Sequence, residues 1–171
     1  GIGLTLLPVH YQFGGCDRRP LGAGQIRFGT DPVGFARLHA ASAAALKVLP
    51  DDCRIGVAPH SLRAVAPEAV AELVTLAPEG PVHMHLAEQV GEVAEVRAAR
   101  GKRPVDWVLD TVGPDARFTF IHCTQMEPGE TEGLARSGAT AGLCPITESS
   151  LGDGIFDGVR WFDAGGRIAI G

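Results

Sequence analysis

Six short, mostly apolar segments alternate with helix-length stretches along this chain, and none of the six is followed by a hairpin turn. That alternation is the strongest constraint on the fold. Strands linked through helices must run parallel, because an antiparallel pair needs only a tight turn. The strand segments are residues 2–9 (IGLTLLPV), 54–59 (RIGVAP), 81–86 (PVHMHL), 117–122 (RFTFIH), 139–144 (ATAGLC) and 167–170 (RIAI). The first is almost wholly apolar, as expected of a strand buried on both faces.

The intervening stretches carry helical periodicity. In 31–49, Phe35, Leu38, Ala41, Ala45, Leu46 and Leu49 form one apolar stripe, with Thr30 or Asp31 as cap and Pro50 as stop. Pro67 and Glu68 open a helix bearing Val70, Leu73 and Val74. Two more follow, one ending at Gly101 and one running from Pro104 to Gly113. A short helix covers 128–137, and a last one is marked by Phe156, Val159 and Phe162. Residues 13–30 hold five glycines and one proline and read as a long functional loop. The TESSLGDG stretch, 147–154, reads as a polar loop that lines a pocket or caps a helix.

A parallel α/β pattern leaves two architectures, an open doubly wound sheet or a closed barrel. No GxGxxG follows the first strand, so the dinucleotide fingerprint is missing. Ionisable residues recur at the C-terminal ends of several strands, where barrel enzymes build their sites. A complete eight-fold barrel needs about 250 residues, so the 171 residues read as one partial barrel domain, 1–171, with barrel material missing at both ends.

Composition narrows the partners. Hydrophobic residues make up 45% and charged residues 20%, a globular balance. Fifteen Lys and Arg against twenty Asp and Glu give −5, and without a basic run no nucleic-acid partner is expected. No apolar run approaches the ~20 residues of a membrane helix, and no secretory leader is visible. Cys16, Cys53, Cys123 and Cys144 form no CxxC pair and read as reduced thiols of a cytoplasmic protein.

The chemistry gathers at strand ends. His10, His60, His85 and His122 lie at or just past the ends of four different strands, so closure into a barrel would turn them toward one mouth. His39, on a helix, reads as an ordinary partly buried histidine. In HMHLAEQ, 83–89, His83 and His85 share a strand face. His85 is nearer the mouth, and Glu88 follows where strand becomes loop. A neutral imidazole there can bind a divalent metal, and a carboxylate beside it can move protons for activated water. His83 reads as a packed inner residue. His122 can ligate, or it can polarise a substrate bond by hydrogen bonding. In APHSLR, His60 and Arg63 sit just past a strand end, and the arginine offers a planar fork for a carboxylate.

In order, GIGLTLLPV, APHSLRAV, HMHLAEQ, FIHCTQM, GLCPITESSLGDGIF and GGRIAIG resemble consecutive strand motifs of the amidohydrolase superfamily. They are most similar to its aminohydrolase (deaminase) branch, and within it to the N-formimino-L-glutamate deiminases of bacterial histidine breakdown. HSLRAV, HLAEQ and GKRPVDW carry most of the likeness, which extends over essentially the whole chain. The resemblance implies strands three to eight of a (β/α)8 TIM barrel and one divalent metal ion, zinc in type. It implies His85 as the fifth-strand metal ligand, Glu88 as the proton-shuttling carboxylate, and His122 as the sixth-strand histidine that contacts the reacting group. His60 and Arg63 match the residues that grip the substrate's carboxylate. The HxH of the family's first strand and the aspartate of its eighth have no counterpart in the sequence, and Ser150 stands where the family's loop carries asparagine. The implied partner is a small molecule with a glutamyl carboxylate, with a homodimer as one candidate assembly. Two alternatives stand beside this reading: a deaminase of a purine, pyrimidine or triazine ring, and a non-catalytic remnant.

Overall fold

The structure, a computed structural model, describes residues 3–171. They fall into two compact units, Gly1–His83 and Met84–Gly171.

In the first unit, β1 (Thr5–Leu6) pairs in parallel with β3 (Arg54–Ile55), and β2 (Val9–His10) with β4 (Ala58–Pro59). The two expected strands are thus each broken in the middle. Pro8 has no N–H to give to a ladder. Gly56 lies so close to the neighbouring backbone that a Cβ there would stand 2.1 Å from the Pro81 carbonyl oxygen. The ladder still continues across both breaks, through Gly56 N to Leu6 O at 3.0 Å and Ala58 N to Pro8 O at 3.0 Å. Ile2, part of the first expected strand, lies outside the described residues.

Between these strands runs α1 (Pro32–Leu46). Asp31 caps it, accepting Gly34 N at 2.6 Å, and Thr30 serves elsewhere. The helix stops at Leu46, short of the expected 49, and Phe35 is its one buried residue. Of the apolar stripe, Leu38 and Leu49 are exposed. α2 (Pro67–Leu76) buries Ala69, Val70 and Leu73.

The remaining strands form one sheet in the order β5 (Val82–Leu86), β6 (Phe118–His122), β7 (Thr140–Leu143) and β8 (Arg167–Ile170). β6–β7 and β7–β8 are parallel. Val82, Met84 and Leu86 bury one face of β5, and His83 and His85 occupy the other, half-buried face. Helices α3 (Val90–Arg100), α4 (Pro104–Thr111) and α5 (Pro128–Arg136) follow in the expected places. Gly101, at a φ of 72°, gives α3 the left-handed C-cap that a glycine adopts without Cβ strain.

Two expectations in this unit are corrected. Most of the 147–154 loop is helical, as α6 (Pro145–Leu151), because Pro145 opens the first turn and Gly152, at φ 71°, ends it. In α7 (Gly158–Asp163) the buried residue is Trp161, while Val159 and Phe162 face solvent. The indole stays inside because its Nε1–H reaches the Arg167 carbonyl at 3.0 Å and Phe156 packs edge-on at 5.5 Å.

Candidate active site

The second unit holds a cluster of imidazoles and carboxylates where β5 and β6 end. Leu86 closes β5, and the chain turns at Ala87, whose φ is 50°. The carboxylate of Glu92, fully buried in the first turn of α3, holds that turn. Its Oε1 accepts Ala87 N at 3.1 Å and its Oε2 accepts Glu88 N at 2.8 Å. The turn at the end of β6 is zipped onto the same segment. Cys123 N donates to Leu86 O at 3.0 Å, Gln125 N to Ala87 O at 2.8 Å, and Thr124 Oγ1 to Glu88 O at 2.7 Å.

His122 owes its position to an unusual backbone. Strand alternation would put it on the face of Phe118 and Phe120, which are buried. Instead its φ is 76°, and Cys123 N donates back to Ile121 O at 3.2 Å, closing a γ-turn around His122. This γ-turn is of the rare, strained kind. Cys123 follows at φ 53°. Two successive side-chain-bearing residues in the left-handed region cost about 1–3 kcal/mol each, and such strain concentrates at functional sites. The twist stacks the His122 ring on His85, with centroids 5.6 Å apart and planes 29° apart. It also sets His122 Nε2 3.3 Å from Glu88 Oε1 and His122 Nδ1 3.1 Å from Glu148 Oε1.

Glu88 is largely buried, and burial raises its pKa above the ordinary carboxylate value. His122 and His85 oppose that shift, and the carboxylates of Asp153 and Glu92 reinforce it. A carboxyl held above its usual range, with an imidazole on its oxygen, can both take and give a proton. Behind it, Asp153 Oδ1 accepts Gln89 Nε2 at 3.0 Å, and the Asp153 carbonyl accepts Gln125 Nε2. Arg103 props the same loop from below. Its Nη2 donates to Gln125 O at 2.7 Å and its Nε to Glu130 Oε2 at 2.9 Å.

His60 and Arg63 belong to the first unit. His60 N donates to His10 O at 3.0 Å. Its ring sits edge-on to Tyr11 at 4.3 Å, with Nδ1 3.1 Å from Ser61 Oγ. Tyr11 and His60 also line an apolar recess of about 460 Å³ together with Val9, Phe28, Thr30 and Leu38. Arg63 lies in the turn after β4, half-buried, and its guanidinium meets no hydrogen-bonding or ionic partner among the described residues. The turn is pinned by Gln12 N and Phe13 N, both donating to Ala64 O, and by Gln12 Oε1, which accepts Ala66 N. His10 is buried as a structural group, its Nδ1 2.8 Å from Thr30 Oγ1 and its ring 5.0 Å from Phe35.

A metal ion would find an imidazole donor in His85 with a proton-accepting carboxylate close by, which suits one member of a ligand set. Among the described residues no group of three or more His, Cys, Asp or Glu is placed to hold an ion. The chain's own donors therefore fit a share of a metal site.

Glu92, Glu148, Asp153 and Arg103 complete this cluster and were not singled out by sequence. Signals existed for all four, since Glu148 and Asp153 lie in the 147–154 stretch already read as lining a pocket or capping a helix. Glu92 is an acid in the first turn after a strand end, and Arg103 lies in GKRPVDW.

No sequence-family profile matches the chain. A formimidoylglutamate deiminase from Pseudomonas aeruginosa is 41% identical over 172 residues, covering 100% of this chain and 38% of that protein. Among solved structures, an amidohydrolase from Brucella melitensis superposes with a TM-score of 0.95 at 47% identity, over 100% of this chain and 38% of that one. An adenosine deaminase from Xanthomonas campestris, solved with bound zinc, shares the fold at TM-score 0.81 and 22% identity, over 96% of this chain and 35% of its own. The chain thus spans little more than a third of the proteins it matches. Its parallel β/α repeats match part of their barrel, and over its whole length the chain is similar to an amidohydrolase and to a formimidoylglutamate deiminase.

Proposed function

We propose that the protein this chain belongs to hydrolyses the formimino group of N-formimino-L-glutamate, giving N-formyl-L-glutamate and ammonia. The observation that carries the reaction class is the contact of Glu88 with His122 beside His85, where β5 and β6 end. Similarity to a formimidoylglutamate deiminase over the whole chain supports the substrate.

In this reading water adds to the formimino carbon and the bond from that carbon to the terminal nitrogen breaks. Glu88 Oε1 carries the two protons of the water to the departing nitrogen in turn, the first as water adds to the carbon and the second, from the new hydroxyl, as the carbonyl forms and ammonia leaves, so no net charge is left on the enzyme. His122, through Nε2, hydrogen-bonds the reacting group. His85 would hold a divalent ion, zinc in type, together with donors outside this chain. Such an ion lowers the pKa of bound water toward neutrality. Arg63 and His60 grip the glutamyl carboxylate, and the half-buried guanidinium without a protein partner is what a bidentate carboxylate clamp requires.

Kinetics and metal analysis on two variants of the intact protein test this. Glu88→Gln should abolish turnover while substrate still binds. Arg63→Met should lower kcat/KM about 30-fold or more, since an unpaired buried charge costs about 2–5 kcal/mol. Bound metal should be unchanged in both. Near-wild-type kcat/KM in Arg63→Met would remove the carboxylate grip and favour a ring substrate.

A further inference from the structure

The imidazole of His122 is 5% exposed and lies between two carboxylates, Glu88 on Nε2 at 3.3 Å and Glu148 on Nδ1 at 3.1 Å. Glu148 is the one buried residue of α6. A seven-residue helix whose single inward side chain is an acid contributes no apolar packing there, so its burial calls for another reason. Glu148 Oε1 also accepts the backbone N–H of Cys144 at 2.8 Å. The oxygen facing His122 Nδ1 is therefore already serving as an acceptor. A second acceptor aimed at it would be repelled, so the imidazole must present a proton there.

We propose that Glu148 is a positioning residue: its carboxylate keeps a proton on His122 Nδ1, so that Nε2 and Glu88 Oε1 are left to share one further proton and Nε2 faces the reacting group. A free imidazole favours the opposite tautomer, with its proton on Nε2. The partner of one ring nitrogen sets the state of the other. The arrangement follows the logic in which a third group orients the imidazole of an acid–base pair. It also accounts for the backbone. The γ-turn at His122 and the left-handed Cys123 turn the ring off its natural strand face, and the Glu148 contact helps hold the ring in that strained place. Glu148 needs the strand-to-helix turn at Cys144 to reach Nδ1, and the Cys144 N–H bond ties the two together. The effect on turnover rests on the deiminase reading; the tautomer does not.

Nitrogen-15 spectra of the intact protein, labelled at histidine and with His122 assigned through a His122→Asn variant, read the tautomer directly. Wild type should show a protonated Nδ1 on His122. Glu148→Ala should move the proton toward Nε2, and Glu148→Gln, whose Oε1 still accepts, should retain the wild-type pattern. In kinetics, Glu148→Ala should lower kcat about 10–100-fold, the usual cost of removing the partner that orients a functional histidine. KM and metal content should hold, and Glu148→Gln should recover most of the loss. A bare Nδ1 in wild type overturns the proposal, even where Glu148→Ala fails to fold, and so does an unchanged kcat in a folded Glu148→Ala. Failure of the wild-type protein to turn over N-formimino-L-glutamate would count against the substrate alone, because the spectra still decide the tautomer.

Discussion

Removing Arg103 should destabilise the protein by about 3 kcal/mol or more, a large loss for a side chain in a short loop. Glu130, its partner, is only 3% exposed in its side chain, against 19% for Arg103. Glu130 Oε2 accepts both Arg103 Nε at 2.9 Å and Glu127 N at 2.8 Å, the second as half of the capping box that starts α5. Arg103→Met keeps the aliphatic stem and deletes the guanidinium. Breaking a buried pair from one side costs about 3–5 kcal/mol, because the remaining charge stays buried without compensation. The Gln125 carbonyl loses its charged donor as well, a further contribution on the order of 1 kcal/mol. The double variant Arg103→Met/Glu130→Leu removes both charges. It should recover most of the loss, less the ~1 kcal/mol that the capping bond to Glu127 N contributes. Urea unfolding of the intact protein, followed by tryptophan fluorescence, measures all three, since Trp107 on α4 and Trp161 on α7 are both buried. A single-variant loss below about 1 kcal/mol would refute the reasoning. So would a double variant as unstable as the sum of Arg103→Met and Glu130→Leu, which means no coupling.

Two further outcomes are expected. Burial holds the pKa of His10 and His39 below 6.5, with Asp31 partly opposing the shift at His10. Below 6.5 the unfolded chain binds more protons, so unfolding free energies should fall as pH drops through that value toward the lower folded pKa values, and His10→Gln should flatten the slope. Burial also pushes the Cys123 thiol well above its ordinary pKa, so iodoacetamide should alkylate Cys123 last, and only when the protein unfolds.

Much of the scaffold was legible because its signals are local. Pro67, Pro104 and Pro128 open helices where a proline's missing N–H costs nothing, and Gly101 ends one in the left-handed conformation. The long strands β5 and β6 carry clean alternation up to the residue before the site. Local rules failed where tertiary contacts set the outcome. The serines and threonine of TESSLGDG favour turns, yet Pro145 and the back-bonding Glu148 side chain make seven of the surrounding residues helical. The periodicity of the last helix points to Val159 and Phe162, but the Arg167 carbonyl, six residues on at the start of β8, selects Trp161 for burial.

The site was legible in its residue types and hidden in its backbone. His85 and Glu88 can be read from HMHLAE, because period-two alternation and a strand end decide where they go. His122 cannot be placed that way, since alternation assigns it to the face of Phe118 and Phe120. What brings its ring beside His85 is a positive φ at two residues that are not glycine. Nothing in FIHCTQ announces that conformation, because histidine and cysteine pay for it in strain instead of avoiding it. The compensation comes from elsewhere in the chain: backbone bonds from Cys123 and Gln125 to the β5 turn, and the Glu148 carboxylate from α6. A sequence can display the acid and the imidazole. The geometry that makes them a pair is stored in contacts between segments as far apart as His122 and Glu148.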